Sequence, residues 1–163
     1  MPELDFTLAS GVDRLFTFKR RPSPVPAEAR PLWKIAALLF MLRLSSRGGK
    51  SSLKRLHLLN WAVRSHANRN LFLNSREASL PLFRFNVRFE PAFSRAIDLA
   101  AGNDLVNWVG GDRIQISAKG DRLAGEFLKD SSILLDERAF LSGLGKSVTE
   151  SEANYILGVG TAR

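Results

Sequence analysis

A mainly helical α+β fold with a small sheet is what this sequence predicts, and three observations carry that expectation. "PLWKIAALLFMLRL" (31–44) is apolar almost all round, as a buried helix is, and an amphipathic helix follows it. "PAFSRAIDLAAGND" reads as a third helix, opened by Pro91 and closed by Gly102 and Asn103. "LVNWVGGDRIQISAKGDRLAGEFLKD" then reads as strand, tight turn, strand and helix.

Taken in order, residues 1–30 form an N-terminal arm. Phe6, Leu8, Leu15, Phe16 and Phe18 are scattered apolar anchors. Pro22, Pro24, Pro26 and Pro31 favour an extended, hydrogen-bond-poor strap. Pro31 also sits in the first turn of the helix over 31–44, where its missing N–H costs little. After "SSRGGK" a second helix is expected from about Ser51 to His66. On its wheel Leu53, Leu56, Leu59 and Val63 share one arc, expected against the first helix. The opposite arc collects Lys54, His57, Leu58, Trp61 and Arg64.

"LFRFNVRFE" (82–90) alternates apolar and polar residues and predicts a half-buried strand before the helix that Pro91 opens. Strands at 105–109 and 113–117 flank the turn "GGD", and a helix begins near Lys119. A helix, a two-stranded hairpin and a closing helix are the layout of a winged-helix domain, and "ISAKGDRL" resembles the common LTxKGxxL exit from the wing. The tail suggests two short helices, with Thr149 and Glu152 spaced as a capping box, and the final "GVGTAR" is expected to fray. The expected organisation is therefore an arm over 1–30, a winged-helix domain over 31–130 and a C-terminal helical extension over 131–163.

Composition narrows the function classes. There is no cysteine, which excludes disulfides, thiolate zinc sites and cysteine nucleophiles. His57 and His66 are the two histidines; on one helix, nine residues apart, they would point to opposite sides, so no histidine metal pair is expected. No signal peptide is evident, and the longest apolar run, "IAALLFML", is far short of the roughly 20 residues that span a bilayer. A cytoplasmic protein without a membrane partner is expected. The net charge is +8. Its positive excess lies in residues 1–69, which hold thirteen Lys and Arg against four Asp and Glu. Such asymmetry points to a polyanion or an acidic partner, and its plainer alternative is a solvated basic surface.

The Gly-Gly-Lys-Ser run invites a nucleotide-binding reading. A Walker A loop requires glycine five residues before the second glycine, at position 44, and residue 44 is leucine. A helix rather than a strand precedes the run, and no cofactor is expected. Free N–H groups at Ser51 and Ser52 could still hold one phosphate. Arg43, Arg47, Lys50, Lys54 and Arg55 lie within thirteen residues around one helix start, where backbone phosphates are readily bound, and Arg64 extends this basic patch. A partner face is expected at Leu58 and Trp61, apolar residues among basic ones.

In a winged helix the helix before the wing reads the major groove. Here that helix offers Ser94, Arg95 and Asp98 as its polar positions, and the wing tip offers Arg113. Specific base contacts favour Arg, Lys, Asn and Gln, so this is a poor reader of sequence. Asp136 with Glu137, and Glu150 with Glu152, are expected to be solvated carboxylates rather than acid–base pairs. No catalytic residues are expected.

"RPLWKIAALLFMLRLSSRGGKSSLKRLHLLNWAVRS", "VRFEPAFSRAIDLAAGNDLV" and "DRIQISAKGDRLA" resemble the small middle component of bacterial ABC-three-component defence systems of the Lamassu type. The resemblance covers roughly residues 12–157. It implies a non-enzymatic winged-helix accessory subunit that docks on an SMC-like ATPase and links it to a nuclease-type effector, and it leaves open whether the basic half meets the DNA backbone or an acidic surface of the partner. The alternative is a winged-helix transcriptional regulator, and a nucleotide-binding protein is a third reading that depends on Lys50.

Overall fold

Residues 26, 29–77, 87 and 89–157 are described by the computed structural model of the chain. Helix α1 (Pro31–Ser45) is the hub, with Pro31 at its first turn and Ala36 through Leu42 buried without interruption. It packs against four other helices: α2 (Leu53–Val63), α4 (Pro91–Gly102), α5 (Ala118–Lys129) and α6 (Leu135–Leu144). Beyond its exposed first turn, a helix surrounded in this way has no wet face, which is why its sequence shows no polar stripe.

The hairpin forms where expected, as β2 (Val106–Val109) and β3 (Arg113–Ile116), with Gly110 and Gly111 in the turn at positive φ. A third strand, β1 (Lys50–Ser52), pairs antiparallel with β3 and completes a sheet of order β1-β3-β2. The sequence alone suggests a helix–helix turn here that runs into the start of the second helix. Three residues, Lys-Ser-Ser, carry no alternation to read; their register is imposed by β3. The glycines before them belong to a turn of 3₁₀ type, Arg47–Gly49, with φ of 61° at Gly48 and 65° at Gly49. A Cβ on Gly49 would lie 2.5 Å from Ile116 Cγ2, so the run is a close-packed entry to β1.

The second expected helix is divided. Helix α2 starts after Ser52, whose hydroxyl accepts from the Arg55 N–H, and stops at Val63. Helix α3 (His66–Glu77) is a separate element after the break at residues 64–65, so His57 and His66 belong to different helices. The single partner-facing arc also fails. His57 and Leu58 are as deeply buried as Leu56 and Leu59, whereas Leu53 is only half-buried.

Ser117 caps α5 by accepting from the Gly120 N–H at 2.9 Å. Gly120 packs on the Leu105 carbonyl so closely that a Cβ there would collide with the carbonyl oxygen. Helix α7 (Glu150–Ile156) starts with Thr149 accepting from the Glu152 N–H at 3.0 Å. That is half of the expected capping box; the Glu152 carboxylate turns instead to Arg76 on α3, 2.8 Å away. Leu141, Leu144, Val148, Ala153 and Ile156 join the same core as α1 and α2. The strand expected at 82–90 lies mostly outside the described residues, and Val87, Phe89 and Glu90, which are described, belong to no strand. The arm through residue 25 and the last six residues also lie outside them.

Candidate functional site

Strand alternation sets the first part of the site. Ser51 and Ile114 are opposite each other across β1 and β3 and face the core, where both are buried. Lys50 and Ser52 therefore share the other face with Arg113, which sits opposite Ser52. The 3₁₀ turn brings Arg47 to this face, and the loop between α6 and α7 brings Lys146, Val148 and Thr149. Together with Arg55 and Glu150 they line a cavity of about 220 Å³.

Among the described residues five cations and one carboxylate surround that space, and the carboxylate is already engaged. Glu150 accepts from the Ser52 N–H at 3.0 Å through Oε1 and from the Ser52 hydroxyl through Oε2. The Ser52 amide is thus not free for phosphate, contrary to expectation, and Glu150 is a brace between α7 and β1 rather than a solvated carboxylate.

Arg55, expected in the basic patch, is 3% exposed. Its guanidinium donates to the carbonyls of Val148 and Ser45 and to the hydroxyls of Ser46 and Ser51. Burial lowers its pKa, and the charges of Glu150 and Glu152 oppose that shift. Four of its five N–H donors are engaged within the protein, so Arg55 forms the floor of the cavity and is not a surface contact. By contrast Arg47, Lys50, Arg113 and Lys146 have no side-chain hydrogen bond or ion pair among the described residues.

The remaining expected site residues scatter. Arg43 is half-buried, pairs with Asp121 and donates to its carbonyl at 2.9 Å, tying α1 to α5. Lys54 is half-buried outside the cavity, and Arg64 is exposed on the side of Glu90. Leu58 is fully buried, so it cannot belong to a partner face, and Trp61 is half-buried against the core. Glu137 pairs with Arg69 at 3.5 Å, which makes it an anchor of α3 as well. The sequence does not single out Lys146, and it offers Arg113 only as a wing-tip residue. The one local signal is Gly145, at a φ of 52°, which turns the chain so that Lys146 follows at the cavity.

A second polar cluster closes the start of α4. Lys34 of α1 donates to Glu90 Oε1 at 2.7 Å, and Asn60 Nδ2 donates to Oε2 at 2.9 Å. Burial pushes the Glu90 carboxyl up, but the bonds from Lys34 and Asn60 and the charges of Lys34 and Arg64 outweigh it and hold the pKa below its ordinary value. His57 Nδ1 accepts from the Glu90 N–H at 3.4 Å, while Nε2 meets the Ser94 hydroxyl at 3.3 Å. Burial between Phe89 and Phe93 lowers the His57 pKa against the pull of Glu90, which favours the neutral ring.

The outer side of α4 carries Ala92, Arg95, Asp98 and Leu99, with Leu99 48% exposed. Phe89 before the helix and Trp108 on β2 are also exposed. Among the described residues no three His, Asp or Glu side chains cluster as a metal site, and no helix is long and apolar enough to cross a membrane. Compared with protein families, with curated proteins and with solved structures, the chain gives no significant match.

Proposed function

We propose that this chain is a non-enzymatic winged-helix adaptor, the accessory subunit that links an SMC-like ATPase to its effector in a defence complex, as its sequence resemblance implies. The observation that carries the adaptor reading is the outer side of α4. In a winged helix this is the base-reading surface, yet here it offers one cation, one carboxylate and exposed Leu99. An apolar surface with balanced charge suits a protein partner better than a groove of DNA. The helix–strand–helix start and the sheet order β1-β3-β2 support the winged-helix assignment. The cations of the cavity support a backbone contact with DNA, independent of sequence.

A second reading, a transcriptional regulator, draws on the exposure of Arg95 and Arg113. Selection from a random duplex pool, repeated at rising salt, separates the two. The adaptor yields no enriched site and binding that collapses with salt. An enriched site lost in Arg95→Ala would install the regulator instead.

A further inference from the structure

We propose that the cavity between β1, the head of β3 and the α6–α7 loop is a binding site for a single phosphate group, held by Arg47, Lys50, Arg113 and Lys146. This deepens the DNA-backbone part of the function proposed above, and its test needs no partner protein.

Four observations converge on it. The cations come from three separate stretches of chain, so the fold gathers them, whereas an ordinary basic surface follows one charged run. None of the four side chains has another partner among the described residues, so each can turn to a ligand. Like charges brought together in a recess repel one another, and an oxyanion relieves that repulsion. Glu150, the only carboxylate at the cavity among the described residues, has both oxygens committed to Ser52 and so does not compete for the cations.

The buried layer beneath them is cross-linked by hydrogen bonds. Arg55 ties Ser45, Ser46, Ser51 and Val148 together, so the two sides of the cavity, the β1 turn and the α6–α7 loop, are held at fixed separation. A ligand then meets cations whose backbones are already in place.

Size and lining select the ligand. About 220 Å³ lies below the roughly 300–1,000 Å³ of sites that enclose drug-sized molecules. Among the described residues no aromatic side chain lines it, so they supply no platform on which a base would stack. The cavity accordingly takes the phosphate and leaves whatever is attached to it outside. A phosphodiester of a DNA backbone and a free phosphate monoester share this chemistry.

Thermal unfolding of the full chain in sodium phosphate, against sodium chloride of matched ionic strength, reads occupancy directly. Phosphate at about four times its Kd should raise Tm by roughly 2–4 °C. Arg113→Ala and Lys146→Ala, both exposed and without partners, should keep the chloride Tm and lose that rise. Anisotropy of a labelled random duplex then identifies the source. If both variants weaken DNA binding and phosphate competes with the duplex, the group is a backbone phosphate; if DNA binding is unchanged while the rise is lost, it is a free phosphate. Equal Tm in the two salts together with unchanged DNA binding in both variants overturns the site. So does a phosphate rise that persists in both, which would place the anion elsewhere. Failure to assemble with an ATPase would remove the adaptor reading and leave these outcomes untouched.

Discussion

Lys34 of α1 and Glu90 at the N-cap of α4 form an ion pair of 2.7 Å in which the lysine is 1% exposed. They are the joint between the central helix and the helix whose outer side forms the proposed partner surface. Asn60 from α2 fixes the second carboxylate oxygen, so three helices meet on one side chain.

Removing the charge from one member should expose the cost of burying the other. Glu90→Gln leaves the Lys34 ammonium in the core without a counter-ion, and the expected loss is about 3–5 kcal/mol. Lys34→Met combined with Glu90→Gln should be less destabilising than the sum of the two single changes, because no charge is then left stranded. Urea denaturation of the four proteins checks both statements.

Acid should weaken the same joint in two steps of one sign. The folded-state pKa of His57 is depressed from 6.5, so the unfolded chain takes up the proton first and stability falls as pH drops below about 6.5 toward the folded value. Glu90 is depressed from 4.5; its stabilisation is present in full above 4.5 and is lost as pH falls through its lower folded value. Unfolding free energies measured from pH 8 to 3 should show both declines, and His57→Gln should remove the first while keeping the second.

Gly120→Ala tests packing against propensity. In an open helix the change would stabilise by about 1 kcal/mol. Here the new methyl would fall on the Leu105 carbonyl, which also accepts from the Ser117 N–H at 3.0 Å, so the hairpin or α5 must shift. A net loss of about 1–3 kcal/mol by denaturation is expected.

Arg55 and the two exposed cations should separate cleanly. Arg55→Lys keeps the charge but loses the planar fork that reaches four acceptors, and a loss of about 3 kcal/mol or more is expected. Arg113→Ala and Lys146→Ala should stay within about 0.5 kcal/mol of the parent. The same urea titration decides whether the basic patch contains one structural arginine, as described, or none.

Local signals explain what the sequence made legible. Pro31, Pro91, the Gly110–Gly111 turn and the cap at Ser117 are written in adjacent residues, and the elements they bound lie within a residue or two of expectation. Strand β1 was hidden because Lys50, Ser51 and Ser52 form a strand only opposite Arg113, Ile114 and Gln115, which are about sixty residues away in the chain. The partner face on α2 was misread because helix wheels assume one wet side. Packing of α2 against α1, α3, α6 and α7 leaves Leu58 none. Arg55 looked like its neighbours Lys54 and Lys50, since charge type alone says nothing of depth. Lys146 could join the candidate site only through tertiary structure.

The most direct measurement on the adaptor is co-purification of the full chain with an SMC-like ATPase of its host, for wild type and Leu99→Asp. The account predicts a stable complex that the substitution on α4 abolishes, while the variant alone unfolds at the parent Tm. No complex with wild type, or one that Leu99→Asp leaves intact, would contradict a partner surface on α4.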